Sequence, residues 1–472
     1  MSVPPLRVPF LTEEAARSLS RSLEEPDWLL EQRLDAERLV RELPAESNQL
    51  FTPYLDLRAA RFAEIQPYAV TGFAPGSGTA PLDGASALLH VQEDTIVARV
   101  LGPEAAAAGV FLGTFAEALR DRPDVLRDLI GSGDSLPADD AFAQVARAGF
   151  ALGILLHVPS GVTLADPIVL RWSMGAAGRG LLTRTVISIG DDAHVNLLQD
   201  EEPTASEAAS AAGGAAPTAS GAAPTATGAA PAGQSLWWGT AELRLGDDAS
   251  LDVSGIQDFG PATLAVINRH ASLGREAHLR WSMASVGALL HRSRIDNRLV
   301  GRGSTVHQVE IAFGAGSQLF DLTSYTRHLG ADTTGNLLSK GVFLDRSRGY
   351  MKGLIEIQRS AKGADSFLGE FSMLLDRKAR SVTIPSLEID QPDVRRAAHS
   401  SSAGPIDETQ VFYLMSRGLD REIARKFIVM GFLEPVVARV PLAEAQDRLR
   451  GLLEAKWPAA SSGGRAAEAS AA

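Results

Sequence analysis

The side chains that could do chemistry in this sequence are mainly histidines, because one class of alternatives is missing. There is no cysteine among the 472 residues. That removes disulfides, thiolate zinc ribbons, a cysteine nucleophile and any thiolate-held cluster built by this chain alone. The nine histidines are His90, His157, His194, His270, His278, His291, His307, His328 and His399. None has the H-x-x-x-H or H-E-x-x-H spacing that sets two imidazoles on one helix face for a metal. Most fall in strand-like stretches, where a hydrogen-bonded structural imidazole is the ordinary expectation. His399 differs in setting. It lies in 393-DVRRAAHSSSAG-404, which reads as a loop of small residues between the last strand and the C-terminal helices. An imidazole there is a possible metal ligand, and Arg395 and Arg396 beside it would attract anionic sulfur species.

Other chemistry finds little support. No G-x-S-x-G elbow accompanies the many serines, no phosphate loop is present, and 301-GRGSTV-306 matches no dinucleotide fingerprint. No enzyme class is indicated. Phe412, Tyr413, Arg417, Arg425 and Lys426 sit on helix-like sequence near the C-terminus. They either pack on the core or form a docking face of the aromatic and basic kind found at interface centres.

The elements that must position these residues change character along the chain. Residues 11–43 read as helix, with Thr12 as cap and Glu13 and Glu14 in the first turn. The segments 103–130 and 138–149 also read as helical. After His157, 157-HVPSGVTLADPIVLRWS-173 and 181-LLTRTVISIGDDAHVNLLQD-200 alternate apolar and polar residues as strands do. Strands resume at 235-SLWWGTAELRL-245 and continue to about 390. Between them, 203–234 is an Ala/Thr/Gly/Pro tract without large apolar residues, read as a disordered surface insertion. From about 405 the pattern is helical again, with Ile423, Phe427, Ile428 and Phe432 expected to face a core. A third helix follows Pro441.

One phrase recurs among the strands: 189-IGDDAHV-195, 245-LGDDASL-251, 273-LGREAHL-279, loosely 300-VGRGSTV-306, and as a possible last copy 375-LDRKARS-381. The copies at 245, 273 and 300 start 28 and 27 residues apart, about one coil of a β-solenoid each. A polar corner closed by a small residue suits such a coil. Ordinary hairpin turns in a sandwich or propeller remain the alternative.

Charge and hydropathy narrow the partners. With 45 basic and 57 acidic residues the net charge is −12, so nucleic acid is disfavoured. The longest apolar run, 148-AGFALGILLHV-158, has about 11 residues where a span needs roughly 20, so no membrane partner is expected. The N-terminus lacks the apolar core of a secretory signal. The expected location is cytoplasmic.

The segment 381-SVTIPSLEIDQPDVRRAAHSSSAGPIDETQVFYLMSRGLDREIARKFIVMGFLEPVV-437 resembles the SufB/SufD family of iron–sulfur cluster assembly proteins. The likeness rests on Thr383, Pro385, Leu387, Glu388 and Ile389, then His399. It continues through Asp407, Glu408, Gln410, Phe412, Tyr413, Leu414, Ser416, Arg417 and Gly418 to Ala424, Ile428, Val429, Gly431 and Phe432. Upstream, 335-GNLLSKGVFLDRSRGYMKGLI-355 and 157-HVPSGVTLADPIVL-170 are similar to the family's core. SufB-like members resemble "K/T-C-G-A-H-T-x-P" before the last strand, and here Ala379 stands in the cysteine's place. SufD-like members carry "H-G/A-x-T-V-G", to which 399-HSSSAG-404 corresponds, with one more residue after Val394. The resemblance is therefore to the SufD-like side.

What the resemblance implies is a mainly β fold: a right-handed parallel β-helix core with N-terminal and C-terminal α-helical regions. The expected division is 1–150 mainly helical, 151–395 β-helix, 396–460 helical, and 461–472 a disordered tail. The implied role is a non-catalytic scaffold that pairs with a SufB-like subunit and docks a SufC-like ATPase. A cysteine desulfurase system supplies sulfur indirectly, and a homodimer is possible without SufB. His399 would contribute to iron or a nascent cluster at the SufB interface, with none bound by this chain alone. Gln410, Phe412, Tyr413, Arg417 and Arg425 would serve docking. A β-solenoid carbohydrate lyase or hexapeptide acyltransferase is the alternative class. The first predicts a charged cleft on the solenoid, and the second a strict six-residue repeat that the sequence lacks.

Overall fold

In the computed structural model, residues 4–133, 135–208 and 233–457 are described. The expected insertion at 203–234 and tail at 461–472 fall mostly or wholly outside them.

Two long sheets of parallel strands form a flattened solenoid of eight coils. Each coil takes one strand from each sheet. The first coil pairs Leu152–Val158 with Ile168–Met174, and the last pairs Arg380–Ile389 with Arg396–Pro405. Strands stack in register, residue above residue. Leu197, Val253, Trp281, Gln308, Leu337, Leu368 and His399 occupy one column along the second sheet. The lumen of the early coils is mainly apolar, with Gln199 and Glu201 of the second coil bound there by Arg269 at 2.8 and 2.9 Å. Trp237 packs there between Trp172 and Phe259, with ring centroids 5.7 and 5.6 Å away.

The recurring phrase is one corner of the solenoid, between the first-sheet and second-sheet strands of a coil. At each copy one residue takes the left-handed conformation: Asp192, Asp248, Glu276 and Gly303, at φ 55°, 57°, 54° and 73°. The phrase's glycine is required for a different reason. A Cβ at Gly301 would lie 2.1 Å from the Arg275 backbone nitrogen, and one at Gly246 would lie 2.7 Å from that of Asp191. The next residue inward is small and fully buried, as at Ala193, Ala249 and Ala277. A further copy, 329-LGADTTG-335, holds the same corner with Asp332 at φ 59°. The stretch 375-LDRKARS-381 does not belong to this series. It lies at the opposite corner, between Asp365–Leu374 and Arg380–Ile389, where its true counterpart is 344-LDRSRGY-350. Similar turn chemistry serves both corners, which is why composition alone merges them.

The flanking regions cover the outer faces of the sheets. Thr12 caps Glu13–Ser22, as its sequence predicts. The expected helix over 11–43 is broken at Pro26, and a second helix runs Asp27–Glu42. Within 103–130, three short helices share the segment with a strand, Phe111–Thr114. That strand pairs antiparallel with Leu152–Val158. A hairpin, Ala87–Gln92 with Thr95–Leu101, pairs with Ile168–Met174. The N-terminal region is thus a cap built of strands as well as helices. Trp238, outward on the first sheet, stacks on Phe142 and donates its indole N–H to the Phe142 carbonyl at 2.9 Å. On the second sheet, Lys340 donates to the Phe432 carbonyl at 3.1 Å and Lys456 to that of Phe313 at 2.6 Å, which anchors the C-terminal helices.

Candidate functional site

The C-terminal end of the solenoid carries the candidate site. Among the described residues no strand pairs beyond Arg380–Ile389 or Arg396–Pro405, so both sheets end in free edges. Unpaired edges invite pairing with another chain. The last coil is correspondingly solvent-facing, and Ile389 is exposed.

His399 lies within Arg396–Pro405, so the expected loop is a strand. Its run of alanine and serine lacks the apolar alternation that marks a strand in sequence, and pairing with Asp365–Leu374 imposes the conformation instead. His399 pairs with Leu368, whose side chain is fully buried in the lumen. The imidazole therefore takes a lumen-facing position, exposed only because no coil lies above it. Ser401, two residues on, pairs with Glu370. Across the lumen, Ser381 of the last first-sheet strand shares a hydrogen bond of 2.6 Å with Ser372.

Beneath this rim the lumen is polar. Gln308 donates to Glu310 at 2.9 Å and to the Ser324 hydroxyl at 2.6 Å, and Ser324 donates to Glu310 at 2.9 Å. Glu370 follows in the same column two coils on from Glu310, with Ser339 between them. Burial pushes its carboxyl up to about 8, the Ile384 backbone N–H opposing and Glu310 reinforcing the shift. Its Oε2 is buried without a hydrogen-bond partner. Sequence reading missed this carboxylate. In 365-DSFLGEFSML-374 the phenylalanines suggest the inward phase, yet Ser366, Leu368, Glu370 and Ser372 are the buried set. Counting outward from the small corner residue, here Ala364, would have given the correct phase.

The remaining histidines divide. His328 contacts Thr333 and Ser366 at 2.8 and 3.0 Å, His90 meets Ser173 at 2.8 Å, and His270 pairs with Asp296 at 3.0 Å. These are structural. His194 and His278, expected to be structural, are exposed at strand starts. No group of three or more His, Asp or Glu among the described residues could hold a metal by itself. His399 alone is thus an incomplete ligand set, and Glu370 beneath it is chemically fit for a hard divalent cation. Ala379 is 1 % exposed, packed near Phe343 and Met351 at the opposite corner from the start of the His399 strand.

The docking residues lie on two adjoining helices. Gln410, Phe412 and Tyr413 are exposed on Glu408–Ser416, Arg417 follows at its end, and half-buried Arg425 is on Arg421–Val437. Phe412 is 71 % exposed. Ile423 and Phe427 were expected to face the core, but Phe427 is 66 % exposed and Ile423 is also exposed. Ala424, Val429 and Leu433 supply the buried face instead. Every third or fourth position here is apolar on two sides, so periodicity alone could not choose the inward one. The exposed aromatics form an apolar surface of the kind that marks interaction sites.

The family described as SUF system FeS cluster assembly, SufBD core domain, matches residues 219–432. An iron–sulfur cluster assembly SufBD family protein of Staphylococcus haemolyticus is 25 % identical over 457 residues, covering 93 % of this chain and 92 % of that one. The iron–sulfur cluster assembly protein SufD of Bacillus subtilis is 24 % identical over 456 residues, covering 94 % and 97 %. Among the described residues no helix is long and apolar enough to cross a membrane. Beside its parallel solenoid and flanking helices, the chain thus matches the SufBD core domain over residues 219–432 and is similar along most of its length to SufD-like iron–sulfur cluster assembly proteins.

Proposed function

We propose that this chain is the SufD-type scaffold of a Suf assembly complex. Its last coil pairs edge to edge with a SufB-like subunit, and its C-terminal helices dock a SufC-like ATPase. His399 offers an imidazole to iron or a nascent cluster shared with a cysteine on the SufB-like partner. The observation that carries the reading is the free C-terminal edge of both sheets, with a lumen-facing histidine on its outermost strand. The exposed Phe412 and Phe427 support the ATPase contact, since buried aromatics dominate interface energetics. The chain itself has no thiol, so soft ligation of iron and sulfide must come from the partner.

Co-purification with SufB-like and SufC-like subunits, followed by iron and sulfide analysis, tests the proposal. His399→Ala should leave the complex assembled and lower its iron or cluster content. Wild-type content in that variant would leave a scaffold without a metal ligand, and failure to co-purify would remove the scaffold reading itself.

A further inference from the structure

We propose that Glu370 is a second metal-binding residue at the open end of the solenoid, acting with His399 on one divalent cation. The inference rests on the proposed iron role of His399, and goes beyond it by naming a partner ligand within this chain.

Three features of the lumen carry it. The first is register. His399 pairs with Leu368 and Ser401 with Glu370, so Glu370 stands one coil beneath His399 and two residues along. With strands about 4.8 Å apart and about 3.3 Å per residue, the two Cα atoms are roughly 8 Å apart. Both side chains extend on the lumen side, and an imidazole and a carboxylate at that spacing can reach a common ion at about 2 Å from each.

The second is the state of the carboxylate. Glu370 is 1 % exposed, and its Oε2 has no hydrogen-bond partner. No lysine or arginine among the described residues pairs with it. The other acid of this stretch, Glu310, is satisfied by Gln308 and Ser324. A buried carboxylate oxygen without a donor is costly unless something cationic meets it.

The third is the space provided. Gly353 faces Glu370 across the lumen, and a Cβ there would lie 2.4 Å from Leu368 Cδ2 and 2.9 Å from Glu370 Oε1. The glycine leaves the carboxylate its position. Above it lie only the rim residues of the last coil, so an ion held there would face a subunit docked on the free edge. The ligand set is hard on this side, oxygen and nitrogen, and suits Fe2+ before it meets thiolate or sulfide.

The test is an anaerobic titration of the full chain with Co2+, whose visible absorption reports nitrogen and oxygen ligation, alone and with the SufB-like subunit bound. Wild type should show a cobalt band, and Glu370→Gln and His399→Ala should each weaken Co2+ binding at least tenfold. Glu370→Asp should restore part of the band. The glutamine variant is nearly isosteric, and an unchanged melting temperature separates ligand loss from misfolding. Equal binding by wild type and Glu370→Gln overturns the assignment of Glu370 as a ligand. Absence of Co2+ binding in both forms of the wild type overturns it as well. If Glu370→Gln binds normally while His399→Ala loses the ion, the imidazole role stands and only the carboxylate is wrong. If neither variant changes binding, the role of His399 falls too.

Discussion

The two ends of the solenoid are built on opposite terms. At the N-terminal end both sheets are closed: Phe111–Thr114 runs antiparallel along the first, and the hairpin Ala87–Gln92 and Thr95–Leu101 extends the second. The lumen there is lined mainly by aliphatic residues and by Trp172, Trp237 and Phe259, and two of its polar groups, Gln199 and Glu201, are both bound by Arg269. At the C-terminal end neither sheet is closed, and the lumen holds Gln308, Glu310, Ser324 and Glu370 beneath a rim that includes His399. A core that only had to be stable would be apolar throughout, because burying unpaired polar groups costs free energy. At the C-terminal end a buried Glu370 oxygen lacks a hydrogen-bond partner, and the outer strands are unpaired among the described residues.

The largest effects should come from the closed end. Trp237→Ala removes a side chain 1 % exposed and should cost about 3–5 kcal/mol, read by chemical denaturation. Ile389→Ala at the open rim should stay within about 0.5 kcal/mol, because the side chain is already exposed. Equal losses would erase the contrast between the ends.

Acidification probes the buried histidines next. Burial holds His328 down to about 4, and His90 to about 4 with Arg171 adding to the effect. The unfolded chain binds these protons near pH 6.5 while the folded chain refuses them until about pH 4. Stability is therefore intact above pH 6.5 and falls as pH drops towards 4. At pH 5 the loss from His328 alone should be about 2 kcal/mol. In His328→Gln the drop in melting temperature between pH 7.5 and 5 should shrink. An unchanged pH slope would mean that His328 titrates normally in the fold.

A smaller effect on stability, but a full effect on association, is expected at the free edge. Ser401→Pro removes a backbone N–H on the free side of a strand with no outer neighbour among the described residues, since Arg396 and every second residue after it donate inward to the coil below. It should abolish edge pairing with a SufB-like subunit in size-exclusion chromatography while moving the melting temperature little. Retained pairing would place the interface elsewhere.

Much of this was legible in the sequence. The corner phrase revealed the coil length because Gly246 and Gly301 are fixed by backbone approach, and the small residue after them by the lumen. The C-terminal motif pointed to His399 and to the exposed aromatics. Less legible were features set by neighbours in space. The strand Arg396–Pro405 has small residues and takes its conformation from the coil below it. Phe367 and Phe371 lie on the outer side of their strand, which inverts its apparent phase and hides Glu370. Phe111–Thr114 is strand only because Leu152–Val158 offers it an edge.

The central claim is that the uncapped last coil is the working end of the molecule. Amide hydrogen exchange of the full chain, with and without a SufB-like subunit, tests it most directly. Protection should appear at 380–389 and 396–405 and leave the strands of the first coil unchanged. Protection elsewhere, with the last coil exchanging as freely as before, would contradict it.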